Sequence, residues 1–277
     1  LLPLKKENQT IALIGALAND DNSPLGNWRT NSDNNTAITV LEGMKAYPKN
    51  KLIYRKGADV NLNDGGVVKF HEKVKINEND KSGFNSAKNA ARNADIVVMV
   101  LGEDGFQSGE GRSRTKIDLP GVQQELLEEV YKVNKNIVLV LMNGRPLNIN
   151  WADKNIPSIV EAWQLGTQTG NAIAQVLYGD YNPSGKLPMT FPRSVGQIPI
   201  YYNYKNTGRP GPKNEVFWSH YNDEVNTPLY PFGYGLSYTT FEYSNIAIDN
   251  KILKKNNSIN VSVELKNTGK FKGKERS

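Results

Sequence analysis

The sequence predicts an α/β fold, a mostly parallel sheet sandwiched by helices, and two observations carry that reading. Unbroken apolar runs, each long enough for one strand, recur through most of the chain. Between them lie segments whose apolar residues repeat at helical spacing. Strands that are apolar on both sides need cover on both faces, which is the situation of a parallel sheet and not of a half-solvated antiparallel one.

The elements follow in order. Ile11-Ala12-Leu13-Ile14-Gly15 reads as a first buried strand. Thr36 offers an N-cap to a helix carrying Ile38, Val40, Leu41 and Met44 on one face. A short second strand is expected over residues 51–55 and a helix over 86–92, before the clearest central strand, Asp95-Ile96-Val97-Val98-Met99-Val100-Leu101. Pro120 is expected to open a helix bearing Val122, Leu126, Leu127 and Val130. Further buried strands are expected over 136–142 and 158–163, and a helix over 172–178 that Gly179 ends in the left-handed conformation.

From about Pro183 the texture changes. Pro183, Pro188, Pro192 and Pro199 punctuate a long irregular, tyrosine-rich stretch, and such stretches are functional or packed over another domain. After Thr239 the pattern alternates through Ile246, Ile248, Ile259, Val261, Val263 and Leu265, as in strands of an all-β module. Three regions are therefore expected: an α/β domain over 1–192, an irregular segment over 193–240, and the start of a β domain over 241–277. The last is too short for a sandwich of about 100 residues, so the chain reads as a piece of something larger.

Composition narrows the function. The 277 residues carry 34 basic and 28 acidic side chains, a net charge of +6, but the lysines are dispersed. Nucleic-acid binding is not expected, nor is a membrane span, for no apolar run approaches the roughly 20 residues required. With no cysteine and two histidines, thiolate chemistry is excluded and a histidine metal site has almost no material, so neither metal nor cofactor is expected. Gly15-Ala16-Leu17-Ala18 lacks the spacing of a dinucleotide turn, and Ser184-Gly185-Lys186-Leu187 lacks the Ser or Thr of a phosphate loop.

Functional groups of parallel sheets gather beyond the carboxyl ends of strands. Directly after the central strand comes Gly102-Glu103-Asp104-Gly105-Phe106-Gln107-Ser108-Gly109-Glu110-Gly111-Arg112-Ser113-Arg114. Gly109 and Gly111 flank Glu110 and allow its carboxyl to project at a loop tip as a general acid or base. A surface loop with solvated charges is the alternative. Glycosidic cleavage needs only two carboxyl groups, of which Glu110 can supply one. Trp28, after the first strand, can stack on a sugar ring or simply pack under a loop. Trp151 and Trp163 are expected in the core, and Trp218 stays open.

Longer blocks add a resemblance. Leu1-Leu2-Pro3-Leu4, Gly26-Asn27-Trp28, Ser108-Gly109-Glu110, Ser113-Arg114-Thr115, Tyr181-Asn182-Pro183-Ser184-Gly185-Lys186-Leu187-Pro188, the run from Phe191 to Pro199, Asn206-Thr207-Gly208-Arg209-Pro210 and the run from Tyr230 to Tyr238 resemble the C-terminal half of family 3 glycoside hydrolases, in particular periplasmic β-glucosidases. The resemblance implies a family α/β sandwich domain followed by the start of a fibronectin-III-like β-sandwich. It further implies a preceding (β/α)₈ barrel, absent here, that carries an aspartate nucleophile. Glu110 would then be the acid/base, with Glu103 as the choice if the loop register is shifted. Trp28 and Arg112 would bind substrate, and Arg112 or Arg114 would lower the carboxyl pKa unless paired or in contact with sugar. The implied activity is retaining hydrolysis of β-glucosides or oligosaccharides, periplasmic or secreted, with this chain inactive alone. A non-catalytic sugar-binding or structural module is the alternative, and a nucleotide-dependent enzyme on the same architecture the third.

Overall fold

A computed structural model describes residues 1–29, 31–64, 68–69, 71–205, 208–209, 211 and 215–275. Asn206, Thr207 and Pro210 of the resemblance and the last two positions of the expected third region lie outside them.

Five strands form one parallel sheet: β1 (Thr10–Ile14), β2 (Lys51–Arg55), β3 (Ile96–Gly102), β4 (Ile137–Met142) and β5 (Ser158–Glu161), in the order β2-β1-β3-β4-β5. Among the described residues five α-helices accompany them: α1 (Val40–Lys45), α2 (Phe84–Arg92), α3 (Gln123–Val133), α4 (Asn150–Asn155) and α5 (Thr169–Leu177). The strand alternation sorts the core into two layers. Ala12, Ile14, Val97, Met99, Leu101, Ile137, Leu139 and Leu141 pack against α2, α3 and α4. Ile11, Leu13, Ile96, Val98, Val100, Val138, Val140 and Met142 pack against α1 and α5. β3 and β4 are buried along their whole length, which is why they read as continuous apolar runs. Trp151 and Trp163 pack, partly buried, against the first layer.

Three local expectations are corrected. Thr36 does not cap α1. Thr39 does, through a full capping box in which its hydroxyl accepts from the Glu42 amide at 3.1 Å and the Glu42 carboxylate accepts from the Thr39 amide at 2.8 Å. Just before it the backbone bonds outside the helix, for the Ile38 amide donates to Thr167 O, and Ile38 O accepts from Gly170 N. Pro120 does not open α3: Gly121 turns with φ +62°, and the helix begins at Gln123. Residues 162–163 leave β5, whose last residue is Glu161. Helix α4 was not foreseen. Gly179 ends α5 at φ +73° as expected.

Beyond the sheet, the described residues of 193–240 hold one short 3₁₀ turn, Val195–Gln197, and otherwise no helix or extended strand. Phe191 pairs with Tyr230, whose hydroxyl donates to Asp153 on α4. Tyr238 donates to Val176 O at the end of α5. Strands β6 (Phe241–Ile248) and β7 (Val261–Asn267) then form an antiparallel pair, consistent with the start of a β-sandwich. Ile246, Val261 and Leu265 on that pair are exposed.

Candidate active site

Strand order 2-1-3-4-5 reverses direction between β1 and β3, and the crevice beyond that switch point is where such sheets bind ligands. Two glycines let the chain leave the sheet there. At Gly15 (φ +123°) a Cβ would lie 2.1 Å from Val100 O, and at Gly102 (φ +145°) 1.9 Å from Met142 O. The Gln123 side chain continues the ladder for β3: its Oε1 accepts from Gly102 N at 3.0 Å and its Nε2 donates to Gly102 O at 2.7 Å.

The loops leaving β1 and β3 meet. Asn27 is buried and its Nδ2 donates to Ser108 O at 2.9 Å, so Trp28 and Glu110 sit on two segments joined by this bond. Trp28 is 75% exposed, which removes the reading of an indole packed under its loop. Glu110 is also exposed, at the loop tip between Gly109 (φ +122°) and Gly111 (φ +68°). Arg112 is half-buried, with its guanidinium 5.5 Å from the Phe106 ring centre, and Arg29 lies 5.0 Å from the same ring. Burial holds Arg29 below the usual arginine pKa.

Glu103 and Arg114 resolve differently. The Glu103 side chain has no exposed surface and meets the guanidiniums of Arg114 at 2.7 Å and Arg145 at 3.0 Å. It is walled off and cannot hand a proton to a ligand, which leaves Glu110 as the loop carboxyl that faces outward. Asp104 is likewise buried; burial raises its carboxyl pKa, while bonds from the Phe106 amide (2.8 Å) and Asn61 Nδ2 (2.6 Å) oppose the rise.

Sequence reasoning missed the supports from β4 and β5. Arg145, just past β4, donates to Gln107 O and to Arg112 O (2.9 Å) on either side of Glu110. Gln164, just past β5, reaches Ser108 Oγ at 3.4 Å and borders Gly26. At the end of β5, Glu161 accepts from Trp163 N at 3.0 Å, holding Trp163 at φ +52°. Burial pushes the Glu161 carboxyl up to about 8, with the Glu103 carboxylate adding to the rise. A simple rule would have found Arg145 and Gln164: inspect the residues beyond every parallel strand, not only the longest.

A sequence profile described as the glycosyl hydrolase family 3 C-terminal domain matches residues 1–238. The chain belongs to glycosyl hydrolase family 3, as its C-terminal domain. Among family members, it is 46% identical to the periplasmic beta-glucosidase of Salmonella typhimurium, an alignment covering 98% of this chain and 36% of that protein. It is 39% identical to a beta-xylosidase of Formosa agariphila, over 99% of this chain and 36% of the relative. The crystal structure of a beta-glucosidase from Listeria innocua superimposes with a TM-score of 0.84 at 36% identity, over 98% of this chain and 35% of that one. The chain thus spans about a third of the length of these family 3 relatives. Among the described residues no group of three or more His, Cys, Asp or Glu is placed to hold a metal, and no helix is long and apolar enough to cross a membrane.

Proposed function

We propose that this chain is the acid/base-bearing part of a retaining β-glucosidase that removes terminal, non-reducing β-D-glucosyl residues, with Glu110 as proton donor. One observation carries the reading: a solvent-facing carboxyl at a glycine-flanked loop tip, tied to the Trp28 loop across the switch point of the sheet. The nucleophilic aspartate would come from a barrel half outside this chain. That aspartate attacks the anomeric carbon while the Glu110 carboxyl protonates the departing oxygen. Water then attacks the glycosyl-enzyme, giving its proton to the same carboxylate. Trp28 would stack on a sugar ring and Arg112 would contact substrate from the Phe106 edge of the crevice. The Salmonella relative supports a periplasmic or secreted setting.

The test uses this chain together with its barrel half. Alkyl β-glucoside hydrolysis is expected, and Glu110→Gln should lower its kcat/KM by about 10²–10⁴-fold, the usual worth of general acid catalysis. A dinitrophenyl glucoside, whose leaving group needs no proton, should lose far less in the glycosylation step. Unchanged alkyl glucoside hydrolysis in Glu110→Gln would refute the assignment. Because one relative is named a beta-xylosidase, the same assay is run on β-xylosides. A preference for xylosides would keep the mechanism and change the sugar.

A further inference from the structure

Glu110 stands on a loop with no helix or strand of its own, yet a proton donor must be held within a fraction of an ångström of its working place. One side chain reaches the backbone on both sides of Glu110. Arg145 enters from the turn after β4, a different strand from the one that launches the loop. Its Nη2 donates to Gln107 O, three residues before Glu110, and at 2.9 Å to Arg112 O, two residues after it. On its other edge, Nε meets the Glu103 carboxylate at 3.0 Å. That carboxylate is fully buried, and it is further held by Arg114 Nη1 at 2.7 Å and by the Gly144 amide at 3.2 Å. The Gly144 backbone itself is pressed against the loop, since a Cβ there would lie 1.8 Å from Ser108 Oγ.

We propose that Arg145 is the positioning residue for the Glu110 carboxyl: it grips both ends of the loop by their carbonyl oxygens and is itself fixed by the buried Glu103 carboxylate. This rests on the reading of Glu110 as acid/base. The arrangement suits arginine alone. A planar guanidinium presents parallel donors on separate edges, so one group binds a carboxylate and two carbonyls at once, whereas a lysine ammonium is a point charge on a flexible stem. Glu103 balances the buried charge and sets the tilt of the guanidinium plane. The inward-facing carboxylate of the loop thereby serves the outward-facing one.

The experiment compares Arg145→Lys, Glu110→Gln and the parent in the protein carrying its barrel half, on an alkyl and on a dinitrophenyl β-glucoside. A merely structural role would lower both activities in parallel. A positioning role should lower kcat on the alkyl glucoside by about 10²-fold, the scale of an ångström-sized misplacement, with the dinitrophenyl glucoside within about threefold of parent in glycosylation and KM little changed. Free guanidinium added to Arg145→Ala should restore alkyl glucoside activity in part. Should Arg145→Lys fail to fold, Arg145→Gln, which leaves the Glu103 carboxylate paired with Arg114, should show the same selectivity. Parallel losses on both substrates, or no loss, would overturn the proposal. If Glu110→Gln also lacks selectivity, the acid assignment has failed and the clamp with it; if Glu110→Gln is selective and the Arg145 variants are not, the clamp alone has failed.

Discussion

Replacing Glu161 by Gln should change how stability depends on pH. The carboxyl lies where β5 ends, with the Glu103 carboxylate nearby, and burial lifts its pKa from the ordinary 4.5 to about 8. The folded chain therefore holds this proton more tightly than the unfolded chain does. Between pH 4.5 and about 8 the unfolded state releases the proton first, so it binds fewer protons and unfolding grows easier as pH rises. Below that window both states are protonated and the effect vanishes; above it the loss is complete. At about 1.36 kcal/mol per pH unit, the interval from 4.5 to about 8 caps the effect at about 5 kcal/mol. Glu161 is half-buried at a sheet edge, and water reaching it reduces this to a few kcal/mol. The neutral form also suits its surroundings, because it brings a donor near Asn143, whose Oδ1 is buried without a hydrogen-bond partner and whose Nδ2 lies 3.5 Å from Glu161 Oε2. Glu161→Gln keeps shape and neutrality at every pH. Denaturant midpoints of parent and variant, followed by circular dichroism, should nearly coincide at pH 4.5 and favour the variant at pH 8. A stability difference that stays constant across that range, or favours the parent at pH 8, would refute the reasoning.

Three further substitutions probe local geometry. Thr39→Ala removes the hydroxyl half of the capping box and should cost about 1 kcal/mol, read as a lower melting temperature in calorimetry. Gly109→Ala forces a side chain into φ +122° and sets its Cβ 2.3 Å from Asn27 Nδ2, so it should break the bond to Ser108 O, cost about 1–3 kcal/mol and lower activity; Gly111→Asn, at φ +68° with open space around it, should be tolerated in both assays.

The sheet was legible because β3 and β4 are buried on both faces, which leaves no room for polar residues and makes Ile96 to Leu101 and Ile137 to Met142 stand out. Helix α4 was not, since a single turn and a half of Asn-Trp-Ala-Asp-Lys-Asn buries only Ala152 fully and has little period to read. The cap of α1 was misread although its signal was present. Thr39 is followed three residues later by Glu42, and that pair specifies the helix start better than the earlier Thr36 does. The exposed loop position of Glu110 was legible from its flanking glycines and its place after the strongest strand. Arg145 was not, because two of its partners are backbone carbonyls 33 and 38 residues away, which any sequence would supply, and the third is a carboxylate 42 residues away. Glu103 illustrates the same limit: beside Glu110 in sequence and identical in chemistry, it is separated in role only by burial and two guanidiniums.

The central claim, that Glu110 is the acid/base of a retaining pair, is tested most directly by trapping. In Glu110→Ala, with the barrel half present, a dinitrophenyl β-glucoside still forms the glycosyl-enzyme, but water lacks a base to attack it. Azide, which needs none, fits the space left by the carboxylate. Azide is expected to accelerate turnover, with β-glucosyl azide as the product. No acceleration, or an α-configured azide, would contradict the claim.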